Sequence, residues 1–186
     1  MTGAPVAIAL MHYPVYDRNH CTVVSAITNL DLHDIARAAR TFGVVRYYIV
    51  TPAVQQQRLA EKIIGHWREG YGATYNPKRK AALELVTVRD TLADAMSDFQ
   101  AEYGVSPRLV ATGAAAAATT TYAALREELG STKAPHLLLF GTGWGLADEI
   151  MAAADVILPP LQGAGEYNHL SVRSAAAIIL DRLLGK

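Results

Sequence analysis

The order in which short apolar runs alternate with longer amphipathic ones constrains the fold of this chain more than any other feature. "PVAIAL" (5–10) reads as a strand, and "DLHDIARAARTFG" (31–43) as a helix with Asp31 near its start and Gly43 as its stop. "VRYYIVTP" (45–52) is a strand closed by Pro52, and "AVQQQRLAEKIIGHWREG" (53–70) a helix ending at Gly70. Beyond a polar connector, "YGATYNPKRK" (71–80), come "LELVTV" as strand, "TLADAMSDFQAEYG" as helix and "PRLVAT" as strand. A helix from roughly Thr119 to Leu129 precedes "HLLLF", "ADEIMAAA", "DVILPP" and a last helix starting near Ser171. Strand followed by helix, about six times over without an internal repeat, predicts an α/β domain spanning 1–186: one mostly parallel sheet with helices on both faces. A TIM barrel would need about 250 residues.

Composition narrows the function classes. No run of about eighteen apolar residues is present and the start "MTGAPVAIALMHYP" has no basic segment, so a membrane span and a signal peptide are not expected. The single cysteine, Cys21, excludes an intrachain disulfide framework and fits a reducing, cytoplasmic setting. The 17 Lys and Arg balance 17 Asp and Glu, so a nucleic acid would have to be met by a local basic patch. The densest basic run is "NPKRK" (76–80), with Arg18 and His20 as further candidates; as a short charge run it also reads as a solvated turn. His12, His20 and Cys21 fit no common zinc spacing and read as loop residues, so no metal is expected.

In an open parallel sheet, ligands sit beyond the carboxyl ends of the strands. Three loops there are unusual: "GAAAAATTT" after "PRLVAT", "GTGWGL" (141–146) after "HLLLF", and "PPLQGAGEYNHLS" (159–171), which ends in the polar cluster Glu166, Tyr167, Asn168 and His169. "GTGWGL" fails as a dinucleotide fingerprint, because Leu146 stands where the last glycine belongs and the loop lies in the last third of the chain. The Gly-Lys-Ser/Thr ending of a phosphate-cradling loop is missing as well. A backbone that closely approaches a flat or uncharged ligand, with Trp144 beside it, is what remains.

"LLLFGTGWGLADEIMAAADVILPPL" followed by "EYNHLSVRSAAAIILDRL" resembles the second and third motifs of the SPOUT superfamily of S-adenosylmethionine-dependent RNA methyltransferases. "DLHDIARAARTFGV" resembles that superfamily's first motif, with Arg37 in the place of its helix arginine. With "TNLDLHDIAR", "YYIVTP" and "YNPKRKAALELV", nearly the whole chain resembles a small bacterial SPOUT family of predicted RNA methyltransferases. The resemblance implies a deep C-terminal trefoil knot, a homodimer, an RNA substrate (tRNA or rRNA) and S-adenosylmethionine held by three knot loops. Those loops carry Thr112, Gly113 and Ala114; Phe140, Gly141, Thr142, Gly143, Trp144, Gly145 and Leu146; and Ile157, Leu158, Leu161, Gly163, Tyr167, Asn168, Leu170, Ser171 and Val172.

For chemistry, the resemblance implies Arg37 on an RNA phosphate or hydroxyl, and Asn29 and Asp31 facing the acceptor, though Asp31 also reads as a helix cap. His169 suits general-base duty at neutral pH and equally suits a loop-end histidine that holds the helix start. Ser171 reads as an N-cap, and Arg173 as a phosphate contact or a solvated cation. The ribose-modifying branch has a Glu that "FGTGWGL" lacks, and commonly Ser and Asn where Tyr167 and His169 stand, so base and ribose methylation both stay open. Two other readings are compatible with these residues: an inactive SPOUT-like or flavodoxin-like module binding adenosine or RNA, and, last, a nicotinamide-dependent enzyme.

Overall fold

The computed structural model describes residues 3–165 and 167–186. In chain order the elements are β1 (Val6–Met11), β2 (Val15–Tyr16), β3 (Thr22–Val23), α1 (Asn29–Thr41), β4 (Arg46–Val50), α2 (Val54–Arg68), α3 (Tyr71–Tyr75) and α4 (Pro77–Leu83). They continue as β5 (Val86–Arg89), α5 (Leu92–Tyr103), β6 (Arg108–Ala111), α6 (Tyr122–Ser131), β7 (His136–Gly141), α7 (Asp148–Ala153), β8 (Val156–Ile157) and α8 (Val172–Leu184).

Six strands form one sheet in the order β5-β4-β1-β7-β6-β8, every pair parallel. β1 lies between β4 and β7, with Ala7 opposite Arg46 on one side and Leu137 on the other. Covered on both faces, it is apolar at every position and buried throughout. Alternation sorts its side chains: Val6, Ile8 and Leu10 pack with residues of α1, α2, α4, α6 and α8, whereas Ala7, Ala9 and Met11 pack with residues of α5 and α7.

Two regions differ from the expectation. The connector at 71–80 is not a solvated turn; it folds as α3 and α4, with Asn76 as an N-cap accepting from the Arg79 amide and Pro77 in the first turn. Gly70, Gly72 and Pro77 suggest breakage, yet proline is well tolerated at a helix start, where its missing N–H would have no partner anyway. The stretch at 12–25 holds a small antiparallel pair, β2 with β3, and His12, in the loop after β1, is fully buried.

The C-terminal connections lie unusually. After β6 the chain passes outside β8, where the Thr119 amide donates to the Ile157 carbonyl (3.0 Å), and only then enters α6, capped by Thr121. Helix α6 thus starts later than the expected Thr119. The chain leaving β8 arrives, as α8, against α1 and α6.

Candidate functional site

The carboxyl ends of β6, β7 and β8 bring the three unusual loops together. Thr112 is buried, its amide (3.2 Å) and hydroxyl (2.9 Å) both donating to the Leu139 carbonyl of β7. Gly113 then turns the chain closely enough that a Cβ there would meet Ala116 Cβ at 3.3 Å, and leaves Ala114 exposed. In the third loop Leu158 is buried, its amide donating to the Ala111 carbonyl at 3.0 Å. Leu161 packs on the core, and residues 162–165 and 167–170 are exposed. Leu161, Gly163, Tyr167, Asn168, His169 and Leu170, with Ile178 and Arg182 of α8, line a cavity of about 230 Å³. The rings of Tyr167 and His169 meet edge to face at 6.5 Å. Glu166 lies outside the described residues. Ser171 caps α8 by accepting from the Ser174 amide, which places Val172 as its first residue.

The glycines of 141–146 bring the backbone close to protein first of all. Phe140, buried in β7, leads into Gly141, where a Cβ would lie 2.7 Å from the Leu146 amide nitrogen. Gly143 has φ +59 and a Cβ there would lie 2.7 Å from the Tyr16 carbonyl oxygen. Around that contact Trp144 N donates to Tyr16 O (2.9 Å), Tyr16 N donates to Gly145 O (3.0 Å), and Val15 bridges to Leu146. Trp144 itself stays 65% exposed, so its indole is free to meet a ligand.

Sequence reasoning missed what fastens this loop from below. Thr142 Oγ1 donates to the Met11 carbonyl (2.9 Å) and also meets Ser25 Oγ, which in turn meets His12 Nδ1 at 2.9 Å. Each hydroxyl has one proton; Thr142 spends its own on Met11, so Ser25 donates to Thr142 and His12 Nδ1–H donates to Ser25. His12 is then the neutral tautomer with a bare Nε2, and that atom has no partner among the described residues. Burial pushes its pKa down to about 4, against the pull of the Asp31 carboxylate and of backbone at Ala26 and Ser25. One signal was available, since His12 extends the Val6, Ile8, Leu10 side of β1 by one step.

Helix α1 begins beside these loops. Thr28 caps it, accepting from the Asp31 amide (3.1 Å) while its hydroxyl donates to Asp31 Oδ2 (2.6 Å). Arg173 Nη1 donates to Asp31 Oδ1 at 3.1 Å, and its Nε lies 3.8 Å from Asp34. Asp31 is therefore a buried tie between α1 and α8 whose oxygens are both engaged, and Arg173 is neither a solvated cation nor a free phosphate contact. Asn29 and Arg37 are exposed on α1, and His169 is exposed at the end of the third loop. Arg18 and His20 sit in the β2–β3 turn and Arg79 on α4. Among the described residues no group of three His, Cys, Asp or Glu is arranged to hold a metal, and no helix is long and apolar enough to cross a membrane.

The three loops themselves carry no cation, although Arg182 of α8 lines the cavity that the third loop forms. None of the segments 112–121, 141–146 and 157–170 contains Lys or Arg, while exposed Trp144, Tyr167 and Leu170 offer apolar surface. A cavity of about 230 Å³ is below the roughly 300–1,000 Å³ of ordinary ligand pockets, so it would take a part of such a ligand.

A parallel sheet of this order, closed by a last helix packed against α1 and α6, is a fold found among solved methyltransferases. The SpoU methyltransferase AviRb of Streptomyces viridochromogenes, solved in complex with the cofactor AdoMet, has this fold: TM-score 0.61 at 15% identity, over 99% of this chain and 58% of that one. The chain belongs to the family described as SAM-dependent RNA methyltransferase, whose sequence pattern matches residues 5–185. A protein of Oleidesulfovibrio alaskensis named tRNA (guanine-N(1)-)-methyltransferase is 44% identical over 183 residues, which are 98% of this chain and 43% of that relative. This chain therefore spans less than half of that relative's length. An uncharacterized protein of Aquifex aeolicus is 41% identical over 187 residues, covering 100% of this chain and 91% of its own length.

Proposed function

We propose that this chain is a cytoplasmic, homodimeric S-adenosylmethionine-dependent methyltransferase acting on tRNA, working as a single SPOUT-like domain. The observation that carries the reading is the convergence of three cation-free loops at the carboxyl ends of β6, β7 and β8, in a chain matched end to end by the family. tRNA is favoured over rRNA by the relatives' names. More than half of each of those relatives lies outside the shared part, so their guanine-N1 specificity is not carried over, and base and ribose acceptors both remain substrates to test. The bond of Thr119 to β8 before α6, together with the packing of α8 on α1 and α6, is compatible with a threaded C-terminal connection.

S-adenosylmethionine, when bound, supplies a methyl group on a sulfonium sulfur and hence most of the reactivity. The protein has to enclose that group and orient the acceptor. Main chain of Thr112–Ala114 and Gly141–Leu146, with Ile157, Leu158, Leu161, Gly163, Tyr167, Asn168 and Leu170, forms the enclosure. Arg37 holds the RNA backbone, His169 takes the acceptor proton, and Asn29 borders the acceptor. Asp31 acts through Arg173, fixing the start of α1 against α8.

Calorimetry with S-adenosylmethionine and its demethylated product, followed by methyl transfer to purified tRNA and rRNA and mass spectrometry of the nucleosides, tests this. The expected result is binding of both compounds and one methylated nucleoside from tRNA. Binding of neither compound overturns the reading, and binding without transfer to any RNA leaves an inactive binding module.

A further inference from the structure

Helices α3 and α4 form a feature that the proposed methyl-transfer site does not use. Tyr71 and Tyr75 are 76% and 74% exposed, and their rings stack on each other with centroids 6.1 Å apart and planes 25° apart. One helical turn separates them, so they share the outer face of α3. The inner face is Gly72, buried against α2, where a Cβ would come within 2.6 Å of Trp67 Cε3. Glycine thus lets this short helix sit flat on the Trp67 ring, and the tyrosines are presented on a fixed support.

The same ring organises the cations. The Arg79 guanidinium lies over Trp67, 4.5 Å from its centroid, and its buried Nε has no partner among the described residues. His33 meets the edge of Trp67 at 5.5 Å and likewise has an unpartnered buried Nδ1. Its charged form is disfavoured by burial and then by Arg79, with Arg37 adding to this and Asp34 opposing. Arg37 therefore belongs to the same neighbourhood. Between His66 and Leu83 stand Arg68, Lys78, Arg79 and Lys80 against one carboxylate, Glu69. Arg68 is consumed by the carbonyls of Leu83, Glu84 and Val86; Lys78, Arg79 and Lys80 make no ion pair among the described residues.

We propose that the α3–α4 surface is a docking platform for an unpaired segment of RNA, which stacks bases on Tyr71 and Tyr75 and places its phosphates on Lys78, Arg79 and Lys80. The proposal rests on the RNA methyltransferase reading and names where that enzyme grips its substrate away from the reacting nucleotide. Exposed aromatic faces beside unpaired cations suit single-stranded nucleic acid, because every base has a face to stack and every nucleotide a phosphate. In a chain whose formal net charge is +0, such a local cluster is the means available for holding a polyanion. Position supports it too: α4 packs on α1, which packs on α8, so the platform adjoins the helix bearing Arg37 and through it the donor loops.

Affinity of the full chain for tRNA and for an unstructured RNA oligonucleotide, measured by fluorescence anisotropy across a salt series, provides the test. Tyr71→Ala with Tyr75→Ala is expected to weaken RNA binding about tenfold or more, while circular dichroism and S-adenosylmethionine affinity match wild type. Tyr71→Phe with Tyr75→Phe retains the ring faces and is expected to bind as wild type. Lys78→Ala should lower the steepness of the salt dependence by about one unit. Wild-type RNA affinity in the double alanine variant, or equal losses in the alanine and phenylalanine variants, overturns the platform while leaving the methyltransferase reading intact. A wild-type chain that binds S-adenosylmethionine but no RNA overturns both.

Discussion

His12 combines full burial with a ring nitrogen that has no partner among the described residues, and this makes its protonation a matter of stability. Its folded pKa of about 4 lies below the ordinary 6.5. Between those values the unfolded chain carries a proton that the folded one does not, so stability is intact above pH 6.5 and falls as pH drops toward 4. The full difference is ~3 kcal/mol, a large part of a typical domain's margin. His12→Asn keeps an N–H toward Ser25 and removes the titration. Denaturant midpoints at pH 7 and near pH 4.5 should therefore show wild type losing ~2–3 kcal/mol more than the variant; parallel losses in the two proteins would remove His12 as the cause. At this scale the sequence was legible where local chemistry decides, as with Ser171 capping α8. For His12 it offered only the alternation that continues the inward side of β1, and for Thr142 nothing, since their partners come from residues 11 to 25.

Among the elements, the long amphipathic helices and the buried strands could be read from period, because their own residues supply the pattern. Those that escaped are short and held from outside: α3 by Trp67, and the β2–β3 pair by the glycine-rich loop. That pair also changes the meaning of "GTGWGL". Gly143 is required by its positive φ and by the Tyr16 carbonyl before any ligand arrives, so the loop is shaped by the hairpin that leans on it. Gly143→Ala should cost about 1–3 kcal/mol from left-handed backbone and a displaced neighbour. Hydrogen exchange gives the sharper reading, since the amides of Tyr16 and Trp144, which join hairpin to loop, should lose protection well before those of β1. Unchanged protection at both would mean that the hairpin docks through other contacts.

Across the whole molecule, alternation of strand and helix foretold a parallel sheet but not its order, since it carries no information on which strands become neighbours. β7 enters between β1 and β6, and β8 takes the edge, so the carboxyl ends of three successive strands meet at one end of the sheet and each contributes a loop. Those loops are bonded to one another through the framework: Thr112 to Leu139, Leu158 to Ala111, Thr119 to Ile157, and Tyr122 Oη to the Pro159 carbonyl. A ligand seated on all three must leave before any one of them can unfold. Donor binding should consequently stabilise the whole domain rather than a local flap. At a hundred times its dissociation constant, S-adenosylmethionine should add ~2.7 kcal/mol and raise Tm by roughly 5–10 °C. The increment should be the same by near-ultraviolet and far-ultraviolet circular dichroism, because packing and backbone are lost together. NAD at equal concentration should leave Tm unchanged, because "GTGWGL" lacks the last glycine of a dinucleotide fingerprint and Gly143 is already closed on the Tyr16 carbonyl. A shift seen by one probe alone would mean that the loops open independently of the sheet, and a shift with NAD would return the glycine-rich loop to a dinucleotide.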